Sequence, residues 1–173
     1  MNTGRNSLPV RREREEGQPM FQPMVHRVQY YETDMMGIVH HANYLHWMEE
    51  ARIHFMDQLG FPYAAMEQNQ IYSPVKAVSC EYLHPCTFGE EILIRVSVEA
   101  FNGVVLRIGY RMEKPSGETV CKAHSEHVFL NREGRFVRLK RDLPEFCRAL
   151  EQLLNSSGEE AGKDAPAGNE PGA

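Results

Sequence analysis

The sequence predicts an α+β fold in which a curved antiparallel β-sheet wraps one long central helix. Three observations carry that expectation. A single apolar stripe of Tyr44, Trp47, Met48, Ala51, Phe55 and Leu59 follows the i, i+3, i+4 rhythm of a buried helix face. From Val75 onward the period of the apolar residues changes from 3.6 to 2. Asn102-Gly103, a strong short hairpin signal, joins two of the alternating stretches.

The helix comes first because it obliges the rest. Asn43 is suited to N-cap it, and Gly60 followed by Pro62 is suited to stop it. His46, Glu49, Glu50 and Asp57 fall on the face opposite the stripe. Each large apolar side chain gains roughly 1.5–3 kcal/mol on full burial, whereas an isolated helix of this length is marginal in water. Some other part of the chain has to cover it.

In chain order, Met24 to Tyr31 reads as a first strand, followed by an acidic, glycine-containing turn at Asp34 and then the helix. Tyr63 to Asn69 has room for one more helical turn. Val75 to His84 is a strand that ends at Pro85. Glu91 to Phe101 alternates with Ile92, Ile94, Val96, Val98 and Ala100 on one face. Val104 to Glu113 alternates again, with Leu106, Ile108, Tyr110 and Met112 together, and the connecting Asn102-Gly103 suits a type I′ turn. Pro115-Ser116-Gly117 turns the chain into a long strand, Glu118 to Leu130. On it, Cys121, Ala123 and Ser125 share a face with His127 and Phe129. Arg135 to Leu139 is a short strand, and Leu143 to Leu154 a last helix opened by Pro144. A sheet laid on one helix leaves edges uncovered, so self-association is expected.

Composition sets the outer limits. The expected organisation is one domain over 23–154, between a disordered tail at 1–22 and another at 155–173, both polar and rich in Pro, Gly or charge. A net charge of −5 offers no overall basic field, which argues against a nucleic-acid partner. No apolar run approaches the roughly 18 residues that cross a bilayer, and the first residues lack the apolar core of a secretion signal. Cys80, Cys86, Cys121 and Cys147 form no CxxC pair and no zinc-like spacing with histidine. They are expected to be reduced thiols, mostly in the core, and the expected compartment is the cytoplasm.

The stretch from Tyr30 to Arg52 contains Thr33-Asp34, Gly37, Val39, His41, Tyr44 and Glu50-Ala51-Arg52 at fixed spacing. It resembles the signature of the hotdog-fold acyl-CoA thioesterases. The nearest group is the 4-hydroxybenzoyl-CoA thioesterase family, which includes the thioesterase associated with the bacterial Tol-Pal system. The similarity extends in element order over residues 24–150. His40 departs from it, standing where many relatives carry an aromatic residue, which bears on acyl-pocket shape. The resemblance implies a homodimer or homotetramer with sites at subunit interfaces, acting on acyl-CoA or on an acyl carrier protein thioester. It implies that Asp34 is the catalytic carboxylate, as nucleophile or as base for a water, and that the backbone N–H of His41 holds the carbonyl oxygen. Gly37 and Tyr44 are candidate substrate-binding positions, with Gly37 read also as a backbone requirement of the turn.

The chemistry of these residue types agrees. A thioester needs an attacking group and a place for the oxyanion, and free N–H groups at a helix start supply the second. Asp34 can equally be an Asx turn that shapes its loop, Tyr44 can be core, and Thr33 can merely orient the turn. His46, Glu50 and His54 have a formal ligand spacing along one helix flank, yet the HExxH type of motif is absent and no metal or organic cofactor is expected. No Gly-rich phosphate loop and no GxSxG elbow occurs. Coenzyme A would then rest on scattered bases, with Arg95, Arg107, Arg111 and Arg138 as candidates. Two other activities fit the same fold: hydration or dehydration of an acyl thioester, and acyl-thioester binding without catalysis.

Overall fold

The computed structural model describes residues 21–160, with side chains to 155. The tails expected at 1–22 and 155–173 lie almost wholly outside the described residues. Where they overlap, the Phe21 ring packs 4.7 Å from that of Phe55, and the last helix runs to Glu160.

Five strands form one antiparallel sheet: β1 (Met24–Arg27), β2 (Val75–Tyr82), β3 (Glu91–Phe101), β4 (Val105–Glu113) and β5 (Thr119–Val128). Their spatial order is β1-β3-β4-β5-β2, so β1 and β2 are the edges. The long helix α1 (Asn43–Leu59) lies on one face, with α2 (Tyr63–Gln68), α3 (Leu139–Asp142) and α4 (Pro144–Glu160) closing its far end. This is the sheet curled over a helix that the periodicities require.

Alternation decides which face is which. Ile92, Ile94, Val98, Leu106, Ile108, Tyr110, Met112, Cys121 and Ala123 are all buried, together with Tyr44, Trp47, Met48, Ala51, Phe55 and Leu59 of α1. Ala100 leaves the buried face because a bulge interrupts the β3–β4 register between Val98 and Ala100. α4 adds Phe146, Cys147, Leu150 and Leu153, with the Phe146 ring between those of Phe61 and Phe129. The outer face is a lattice of ion pairs, and a Cβ at Gly109 would collide with the Glu99 carboxylate there.

Several local expectations are corrected. The first strand stops at Arg27 instead of Tyr31, and Tyr30–Glu32 is a 3-10 turn. The chain leaves the sheet there because the Glu32 carboxylate takes the Gln29 N–H at 2.7 Å and turns inward. Ala42, not Asn43, is the N-cap; Asn43 is the first helical residue, and its Nδ2 donates to Glu32 O at 2.7 Å. The hairpin after β3 is present but is not type I′, since Gly103 takes a positive φ of 88° and Asn102 does not. The Asn102 side chain instead accepts from Val104 N and Val105 N. No strand forms at Arg135–Leu139: the Asn131 side chain holds that loop, leaving one bridge between Leu130 and Phe136 before α3 begins. The stop at Gly60 is as expected, with a left-handed φ of 89° and Phe61 N bonded back to Met56 O.

Candidate active site

Residues 30–43 fold into a narrow loop that runs from the 3-10 turn out to a tip and back to the start of α1. Thr33 bridges Val39, Asp34 N donates to Ile38 O at 2.9 Å, and Gly37 N donates to Asp34 O at 2.9 Å. Asp34 therefore opens a tight turn that Gly37 closes at φ 75°. A Cβ at Gly37 would meet nothing within 4 Å, so its requirement is conformational and not one of space.

Asp34 is half-buried, and its two carboxylate oxygens have different work. Oδ1 accepts from Met36 N at 2.8 Å, which is the Asx turn that its residue type allows. Oδ2 has no partner among the described residues. Loop shaping and a free oxygen thus coexist in one side chain. Thr33 donates its hydroxyl to Tyr30 O at 2.8 Å and so orients the turn.

At the base of the loop, the peptide joining His40 to His41 is fixed by its carbonyl, which accepts Asn43 N at 3.0 Å. In a trans peptide the N–H points away from the C=O, so the His41 N–H points out of the helix start. No acceptor engages that N–H among the described residues. Its neighbours are tied down: His40 N donates to Glu32 O at 2.9 Å, Val39 N to Cys86 O at 2.8 Å, and Tyr82 OH to His41 O at 3.2 Å. The helix start adds a partial positive charge that favours an anion by about 0.3–1 kcal/mol. The His41 side chain is exposed against the His40 ring. Carboxylate and amide sit on one loop, at its tip and at its base, with the buried Val39 side chain between them in sequence.

Tyr44 takes the core reading. It is buried between Trp47 and Tyr82, and its hydroxyl lies 3.5 Å from Cys86 Sγ, so burial pushes its phenol far above the ordinary range. Of the four arginines proposed for coenzyme A, three are engaged on the outer face: Arg95 and Arg111 with Glu113, and Arg107 with Glu99. Only the Arg138 guanidinium has no ion-pair partner among the described residues. Among the described residues no three His, Cys, Asp or Glu side chains converge as metal ligands would. All four cysteines are free thiols, and burial pushes Cys121 up to about 12.

Sequence reasoning gave no role to two buried polar groups. Glu32, beside the Asp34 motif, bonds His26 and Trp47 from within the core. Arg52, on the flank of α1, places Nη1 3.1 Å from His127 Nε2, while Ser125 Oγ lies 2.7 Å from the same nitrogen. A glutamate two residues before Asp34 carries no local mark of burial, and Arg52 is marked only as a position of the signature. Only burial of the strands around them makes them distinctive. His124 and His127 face opposite ways, the first paired with Glu99 outside and the second fully buried.

A sheet wrapped around one helix, with a carboxylate loop running into an unclaimed amide at the helix start, defines a hotdog-class protein. Comparison with known proteins is specific. The family model of the thioesterase-like superfamily matches residues 28–153. YneP of Bacillus subtilis, a proposed acyl-CoA thioesterase, is 37% identical over 126 residues, covering 72% of this chain and 91% of YneP. The crystal structure of the DHNA-CoA thioesterase from Staphylococcus aureus superposes with a TM-score of 0.75 at 27% identity, covering 83% of this chain and 96% of that one. BH1999, a gentisyl-coenzyme A thioesterase, superposes at 0.66 with 26% identity, covering 73% and 98%. The chain belongs to the thioesterase-like superfamily and is a thioester hydrolase.

Proposed function

We propose that this hydrolase acts on acyl-CoA, releasing a carboxylic acid and free coenzyme A. The observation that carries the reading is the His41 N–H at the start of α1, which has no acceptor among the described residues while the amides of Val39, His40, Ala42 and Asn43 are bonded. An acyl carbonyl received there develops its negative charge against a fixed donor and a helix start, and in other acyl-transfer enzymes one such donor is worth roughly 2.7–4 kcal/mol. Asp34 Oδ2 is the attacking or activating oxygen. As nucleophile it forms an acyl anhydride with loss of the coenzyme A thiolate, and water then cleaves the anhydride. As base it takes the proton of a water that attacks the carbonyl directly. Both routes give the same products and both use the ionised carboxylate.

The site is completed by a second copy of the chain. β2 is an open edge whose Val75, Val78 and Tyr82 are exposed, and Tyr82 is the residue bonded to His41 O. A dimer joined along β2 covers that edge and sets the His41 loop beside the interface.

Thiol release across a panel of short, long and aromatic acyl-CoAs tests the proposal, with the acyl carrier protein thioesters run alongside. Turnover of at least one acyl-CoA is expected. With crotonyl-CoA, loss of the enoyl chromophore without free thiol would assign a hydratase instead. Tight binding of a non-hydrolysable analogue without any thiol release would leave only binding.

A further inference from the structure

We infer that Glu32 is a positioning residue, whose buried carboxylate clamps the loop carrying Asp34 and the His41 amide onto β1 and the first two turns of α1. The inference rests on the function proposed above, and its evidence is geometric. Glu32 is 4% exposed and every acceptor it owns is used. Oε1 accepts Trp47 Nε1 at 2.7 Å, from the second turn of α1. Oε2 accepts Gln29 N at 2.7 Å and lies 2.9 Å from His26 Nε2 on β1. Its carbonyl accepts His40 N at 2.9 Å and Asn43 Nδ2 at 2.7 Å. One residue therefore fastens both limbs of the loop, two positions before Asp34 and one before His41, to a strand and a helix that are themselves buried.

The arrangement is costly for a purely structural tie. A carboxylate taken out of water opposes folding unless its partners compensate, and an apolar side chain would fill the space without that cost. Here burial does push the Glu32 carboxyl upward, but the Gln29, Trp47 and His26 bonds outweigh it and hold the group below the usual carboxylate range. The His26 ring, its centroid 4.6 Å from that of Trp47 in a tilted contact, faces Glu32 through Nε2 and Glu50 Oε2 at 3.9 Å through Nδ1. What this expense secures is direction. Each donor meets a particular oxygen, so the loop has one seat on α1, and rigid seating matters where a misplacement of an ångström costs turnover.

Glu32→Gln tests the inference because it keeps the volume and removes one acceptor. The expected result is a kcat lower by roughly 10–100-fold with KM held within about threefold and a cooperative thermal transition retained. Trp47→Phe, which deletes the donor to Oε1 together with part of a buried indole, is expected to lower kcat in the same direction. A folded Glu32→Gln variant with wild-type kcat would overturn the role. Amide hydrogen exchange supplies a readout independent of activity. The Asp34, Gly37 and His40 amides are expected to exchange about tenfold faster or more in Glu32→Gln while those of β3 and β4 hold. If the wild type releases no thiol from any substrate, the proposed function fails, and unchanged exchange at those three amides is then the result that removes Glu32 from loop positioning.

Discussion

His127 makes the fold acid-sensitive in a way that can be measured in isolation. Its ring is fully buried, with Nε2 2.7 Å from Ser125 Oγ and 3.1 Å from Arg52 Nη1, and Ser125 is held in turn by Tyr110. Burial first, and the Arg52 cation second, push its pKa from 6.5 to about 4, against the pull of a hydrogen bond to the Ser73 backbone. The folded state therefore keeps His127 neutral, while the unfolded chain takes up a proton below its ordinary value. Since the unfolded state binds the extra proton, stability rises with pH across the window from 4 to 6.5, and it falls as the pH drops. Full presence of the effect lies above 6.5 and full loss below 4. At about 1.4 kcal/mol for every pH unit between the two values, the window spans about 3 kcal/mol. Urea denaturation of the wild type and of His127→Gln, at fixed protomer concentration from about pH 4.5 to 7, reads it directly. The wild type is expected to lose stability along the whole window and the variant to lose distinctly less. Parallel curves for the two proteins would refute the assignment. The Glu32 carboxyl, held below its ordinary value, contributes stability that is lost only at lower pH, below 4.5.

Three further outcomes follow from the loop and the stripe. Asp34→Asn keeps an oxygen for the Met36 N–H and so keeps the turn; thiol release is expected to fall by roughly 10²–10⁴-fold with the melting temperature within a few degrees, and wild-type rates would remove Asp34 from the mechanism. Gly37→Ala meets no neighbour yet forces a methyl-bearing residue to φ 75°, which is expected to cost about 1–2 kcal/mol in a urea midpoint and to slow turnover. Tyr44→Phe deletes the hydroxyl that faces Cys86 and is expected to cost about 1 kcal/mol of stability while leaving KM unchanged; a raised KM would return Tyr44 to the pocket wall.

Residues whose role depends on repetition were legible before any coordinates. The α1 stripe, the β3 and β4 alternation and the Gly60 stop all repeat a local pattern that only one conformation buries. Their placement needed no knowledge of distant partners. The exceptions were local competitions between bonding partners. Asn43 and Asn102 each had a side chain suited to the expected cap or turn, and each found a different backbone group nearer.

The candidate site divides the same way. Asp34, Gly37 and His41 sit within one loop, and it was the resemblance of residues 30–52 to a family signature that singled them out. Glu32 and the burial of Arg52 and His127 could not be read from spacing, because a polar residue announces its place only through what surrounds it. His26 and Trp47 lie far apart in the chain, on β1 and α1, and both reach Glu32 only once the sheet has closed over the helix. The sequence by itself determined the long helix, the main antiparallel strands and the Asp34 loop, since these are set by local periodicity and short-range order, and its resemblance to a signature carried the family. The tertiary structure alone decided which polar groups lie in the low-dielectric interior, since burial belongs to the assembled layers and to no single segment of chain.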